Sequence, residues 1–173
     1  MQLDKNWLKR EFNADRIAHL AIDLQEGCYR PKERTHQAFL NTADFSYLCR
    51  ILNITNIWAT MPPHNQFKIV KPQDEEPKIE KEYSSAFKET ELKQTLEKKN
   101  ISTLIVTGVH YDLCVAQTVR DALANNLKVI VLLDCINIYR DSTEKMIKEA
   151  KKCYGDNVIL CNSKDITDAL SPQ

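Results

Sequence analysis

No charge of either sign prevails in this sequence: 24 Lys and Arg residues meet 24 Asp and Glu, for a formal net charge of zero. That balance removes the case for a nucleic-acid surface or a polybasic membrane patch. No apolar run approaches the length that spans a bilayer. The opening, MQLDKNWLKREF, is charged and lacks the apolar centre of a signal peptide, so it reads as a short polar lead-in helix. There is no CxxC pair among the six cysteines Cys28, Cys49, Cys114, Cys135, Cys153 and Cys161, which argues against a zinc knuckle or a redox pair. An even cysteine count can mark disulfides. Here the chain is not small and shows no tight cysteine spacing, so reduced thiols and a cytoplasmic chain are expected. Most of those thiols should be packed and inert. Repeats and low-complexity tracts are absent as well.

What is present is a strand–helix alternation. The segments 17-IAHLAID-23, 101-ISTLIVTGV-109 and 127-LKVIVLLD-134 are short, apolar and β-branched, as strands buried on both faces are. Weaker strand candidates are 54–60, 77–81 and 157–161. Helical spacing of apolar residues runs through 34–52, 89–99, 113–126 and 142–154. Thr90 and Ser142 stand where capping hydroxyls would. The pattern predicts one α/β domain over 1–173, a doubly wound, mostly parallel six-stranded sheet with helices on both faces. The segment 61-MPPHNQFKIVKPQDEEP-77 holds four of the six prolines and reads as a long loop.

Ligands of open parallel sheets bind beyond the carboxyl ends of the strands, where the winding reverses. That edge collects Asp23 and Gln25, Lys81, the stretch Gly108 to Cys114, and Asp134. Cys114 opens a helix after a strand and a short bend. A thiol there feels the positive end of the helix, which favours thiolate, and the N–H groups nearby suit an oxyanion. A packed small side chain is the equal alternative. Asp23 follows a buried strand without the look of a helix cap, and a carboxylate near a thiol can take its proton. Lys81 could hold a developing negative charge, but Lys78 and Lys88 qualify equally on these grounds.

Three stretches carry a family resemblance: 21-AIDLQEG-27, 81-KEYSSAF-87 and 106-VTGVHYDLCVAQTVRDAL-123. Together, in this order and spacing, they resemble the isochorismatase-like cysteine hydrolase superfamily of nicotinamidases, N-carbamoylsarcosine amidases and isochorismatases. The resemblance covers roughly residues 17 to 165. It implies a catalytic triad of Asp23, Lys81 and Cys114, with Lys81 chosen by its spacing to Ser85-Ala86-Phe87. It also implies a cis peptide between Val109 and His110, and an oxyanion hole from the backbone N–H groups of His110 and Cys114. Gln25, Tyr83, Phe87 and Tyr111 are candidates for the substrate pocket, with ordinary packing the alternative. The metal-binding Asp-x-His motif of the nicotinamidases has no counterpart in 58-WATMPPHNQF-67, whose one histidine is His64. No metal and no other cofactor is therefore expected. With three glycines and a shortened region between the second and third strands, the chain is lean.

The implied activity is hydrolysis of a C–N bond in a small amide or carbamoyl substrate through a Cys114 thioester. Enol-ether hydrolysis by Asp23 and Lys81 alone is the alternative, and a non-catalytic scaffold is the alternative of another class. The expected partners are a small-molecule substrate and further copies of the chain in a homo-oligomer, a dimer or larger, with no nucleic acid and no membrane.

Overall fold

A computed structural model describes residues 14–29, 33–62, 67, 69–137, 142–154 and 157–170. The expected lead-in helix and His64 lie outside the described residues. Six strands, β1 (Ile17–Ile22), β2 (Thr55–Thr60), β3 (Lys78–Glu80), β4 (Thr103–Val109), β5 (Lys128–Asn137) and β6 (Val158–Cys161), form one parallel sheet in the order β3-β2-β1-β4-β5-β6. The chain begins in the middle of the sheet, winds out to β3, returns, and winds the other way through β4, β5 and β6. The reversal falls between β1 and β4.

The helices are α1 (Glu33–Ile51), α2 (Leu92–Lys98), α3 (Ala116–Ala124), α4 (Thr143–Tyr154) and α5 (Ser163–Leu170). Side chains alternate across each strand. On one face, Ala18, Leu20 and Ile22 of β1 and Leu104 and Val106 of β4 pack with Leu92, Leu96, Val119 and Ala150 from α2, α3 and α4. On the other, Ile17, Ile105 and Ile130 meet Phe45 and Cys49 of α1 and Ile166 and Ala169 of α5. Every residue of β1 and β4 is buried, which explains their largely apolar composition.

A polar seam crosses the α1 face. The Asn56 amide donates to the Ser46 carbonyl and to Glu76, so its oxygen accepts the Nδ1–H of His19 at 2.7 Å. His19 Nε2 then accepts the Thr107 hydroxyl at 2.8 Å. Glu76, at the end of the proline-rich loop, also takes bonds from Arg50, Trp58 and the Gln73 N–H. The loop's far end is thereby anchored in the core.

Two backbone features shape the carboxyl edge. Gly108 has φ +122°, and a Cβ there would stand 2.1 Å from the Ile22 carbonyl oxygen, so only glycine lets β4 lie this close to β1. Beside it the β4–β5 register jumps from Val106↔Val131 to Gly108↔Ile136. β5 thus spends five residues where β4 spends two, and it runs on to Asn137, past the predicted end at 134.

Candidate active site

Asp23 is the first residue beyond β1. Its φ of 54° lies in the left-handed region, which is uncommon for a residue with a side chain, and its N–H bonds the Ala59 carbonyl at 2.9 Å. The side chain is buried at the β1–β4 reversal. Lys81 leaves β3, held by its N–H to the Thr60 carbonyl at 2.9 Å, and turns fully inward, 1% exposed. Burial on that scale separates it from Lys78 and Lys88, both exposed.

The Lys81 ammonium has three acceptors for its three protons. It lies 3.0 Å from Asp23 Oδ2, 3.6 Å from Cys114 Sγ and 3.4 Å from the Tyr83 carbonyl. The structure thus brings Asp23, Lys81 and Cys114, 58 and 33 residues apart in sequence along the pairs, into one cluster. The Val109–His110 peptide is cis. The stretch that follows is a wide turn, Tyr111–Val115, in which the N–H groups of Leu113 and Val115 both bond the His110 carbonyl. Wide turns of this kind concentrate at functional sites. It replaces the first turn of the helix expected from residue 113, so Cys114 precedes α3 rather than sitting in its first turn.

Electrostatics follow from burial. Burial raises the Asp23 carboxyl above its ordinary range, against the opposing pull of Lys81 and of the Cys114 thiol. Burial, then the Asp23 charge, pushes the Cys114 thiol up to about 12, with Lys81 opposing. The resting sulfur is therefore protonated, and the thiolate expected from a helix terminus is outweighed. Among the described residues, Asp23 Oδ1 is buried and has no hydrogen-bond partner of ordinary geometry.

The other sequence candidates are placed differently. Gln25, 1% exposed, is no open pocket wall: its amide donates to the Met61 carbonyl at 2.7 Å and accepts the Met61 N–H at 2.9 Å. It fastens the root of the proline-rich loop. Tyr111, 6% exposed, packs in the core beneath the turn, and Phe87 packs against the same core. Tyr83 is 37% exposed and carries the Lys88 ammonium 3.9 Å from its ring centre. With Pro62, Glu80, Glu82 and Glu89 it lines a cavity of about 410 Å3. The His110 ring stands 3.4 Å from the Asn137 amide, which also donates to Thr35 at 2.7 Å. Asp134 turns away from the cluster to Ser163 at the head of α5. Among the described residues, no group of three or more His, Cys, Asp or Glu is placed to hold a metal ion, and no helix is long and apolar enough to cross a membrane.

Comparison with known proteins bears on the family and the fold. A maleamate amidohydrolase from Pseudomonas putida is 29% identical over 90 residues, which are 51% of this chain and 42% of that protein. An N-carbamoylsarcosine amidase from an Arthrobacter species is 44% identical over 62 residues, 36% of this chain and 24% of that protein. The matches thus take in less than half of either relative's length. A solved isochorismatase-family protein from Chromobacterium violaceum superposes with a TM-score of 0.78 at 25% identity, covering 92% of this chain and 95% of that one. The model of the isochorismatase domain matches residues 17–159. With the fold, the strand order and that match taken together, the chain belongs to the isochorismatase family.

Proposed function

We propose that this chain is a cysteine-dependent hydrolase that cleaves a C–N bond in a small amide or carbamoyl compound. The observation that carries the reading is the buried contact of Lys81 with both Asp23 and Cys114, at 3.0 and 3.6 Å. The names of the two relatives, an amidohydrolase and a carbamoyl amidase, support it.

In this reading Cys114 attacks the carbonyl as Asp23 takes the thiol proton. Charge moves from carboxylate to sulfur to substrate oxygen, and the Lys81 ammonium stays beside it throughout. A base poised next to a nucleophile suits a thiol whose own ionisation is suppressed. The oxyanion is received by backbone N–H groups of the turn, assigned to His110 and Cys114. Collapse breaks the C–N bond, and Asp23 hands its proton to the leaving nitrogen. Water, deprotonated by Asp23, then releases the acid from the thioester. Tyr83, 37% exposed and with its carbonyl on the Lys81 ammonium, is taken to border the substrate's approach.

The test is a panel of small amides, carbamoyl compounds and enol ethers, read by release of ammonia or pyruvate. Cys114→Ala should abolish amide turnover, a loss of at least about 1,000-fold. Intact-mass measurement of the unmodified protein with a slow substrate should show one acyl group on Cys114. Full turnover by Cys114→Ala overturns the thioester, and pyruvate release from an enol ether by that variant points to chemistry at Asp23 and Lys81 alone.

A further inference from the structure

A threonine in a helix commonly bonds the carbonyl four residues back and does no more than that. Thr118 of α3 makes that bond, at 2.7 Å, and the carbonyl it reaches belongs to Cys114. The Thr118 hydroxyl oxygen in turn accepts the Ala86 N–H at 3.0 Å. Ala86 ends the segment that carries Lys81. That segment is tied to β2 at its start through the Lys81 N–H, and to Thr118 at its finish. The Ala86 carbonyl is held in turn by the Thr90 hydroxyl. Thr118 and Ala86 are both 0% exposed, so no solvent stands ready to replace either bond.

We propose that Thr118 is a positioning residue, whose hydroxyl sets the spacing of Lys81 and Cys114 by joining the lysine's segment to the cysteine's own carbonyl. The proposal rests on the hydrolase reading above. Without the hydroxyl, the Ala86 N–H loses its acceptor and the Cys114 carbonyl one of its donors, and the two segments are free to separate. The Lys81–sulfur contact is the one most exposed to that movement. At 3.6 Å it is the longest of the three around the ammonium.

The consequence can be read from the sulfur without knowing the substrate. When Cys114 meets iodoacetamide, the S–C bond forms, iodide leaves, and the thiol proton passes to Asp23. No proton has to be lost to solvent first. An unassisted thiol must lose it, and its alkylation speeds up about tenfold per pH unit below its pKa.

The experiment is site-resolved alkylation of the full chain by iodoacetamide, followed by peptide mass spectrometry between about pH 7 and about pH 8.5. In the unmodified protein the Cys114 rate should stay flat, while that of N-acetylcysteine in the same buffer climbs with pH. In Thr118→Val, which keeps the shape and loses both bonds, the Cys114 rate should drop about tenfold and acquire the climb. Thr118→Ser should restore the flat profile to within about twofold. A Val variant with the native rate and a flat profile overturns the positioning role and leaves the hydrolase reading standing. A climbing profile at Cys114 in the unmodified protein overturns the hydrolase reading and the proposal with it. Should Thr118→Val fail to fold, labelling of the buried Cys49 and Cys135 reveals it, and hydrogen exchange in the unmodified chain decides instead. An Ala86 amide as protected as those of α3 supports the brace, and one exchanging at the rate of an open loop overturns it.

Discussion

At the scale of single residues, the site is a problem of charge in a dry place. A buried carboxylate needs a partner, and Lys81 is the strongest influence opposing the burial that raises Asp23. Lys81→Met removes that influence and keeps most of the stem's volume. The Asp23 carboxyl should then rise further, and a protonated carboxyl cannot accept the thiol proton. Amide turnover should fall at least about 100-fold. What remains should appear only at higher pH, with the acid limb of kcat/KM shifted upward. A variant whose acid limb coincides with that of the unmodified protein would remove Lys81 from the charge balance. Lys81→Arg should not rescue, because a planar guanidinium cannot present three divergent protons to a carboxylate, a sulfur and a carbonyl at once.

At the scale of elements, the strands and most helices were legible because burial on both sheet faces demands largely apolar runs, and covering helices repeat their apolar residues every three or four positions. The exceptions have local causes. α2 starts at Leu92 rather than 89, because Glu89 adopts φ 55°, a left-handed kink that periodicity does not register. α5 went unread, although Asn162 and Asp165 announce it: the Asp165 carboxylate accepts the Asn162 N–H at 2.8 Å across the helix start. The widened stretch of β5 misdirects a reading of Asp134 as a residue of the site. A register jump leaves no mark in composition, and here it turns the carboxylate to the Ser163 N–H at 2.8 Å and the Ser163 hydroxyl at 2.6 Å. Asp134 therefore anchors α5, where an acid also meets the favourable end of the helix dipole. Asp134→Ala should cost about 1 kcal/mol and lower the melting temperature by roughly 3 °C, with amide turnover unchanged. Lost turnover at full stability would return Asp134 to the site.

At the scale of the whole molecule, motif spacing named Asp23, Lys81 and Cys114, whereas the seam of His19, Asn56, Thr107 and Glu76 stayed hidden because polar residues inside apolar runs give no sign of having found one another. That seam makes the fold sensitive to acid. Burial lowers His19 from its ordinary 6.5 to about 4, against the Asn56 bond that favours the charged ring. Burial alone would raise Glu76, but the bonds from Arg50, the Gln73 N–H, Asn56 and Trp58 outweigh it and hold the carboxyl at about 2. The unfolded chain binds a proton on His19 below 6.5, and the folded chain refuses it until about 4. Stability from this group is complete above 6.5, drains away as pH falls, and levels off below about 4. The interval corresponds to about 3 kcal/mol for so fully buried a ring. Glu76 continues the same trend, its contribution lost as pH falls from 4.5 through about 2. Urea unfolding at about pH 7 and about pH 5 should therefore differ by about 2 kcal/mol, the more acidic sample being weaker. His19→Gln offers an amide to the same two neighbours and cannot titrate in that window. It should be less stable at neutral pH yet nearly indifferent to the change. An equal loss in His19→Gln would place the acid sensitivity elsewhere, and the raised carboxyl of Asp23 cannot supply it, since a group raised by folding gains stability as pH falls.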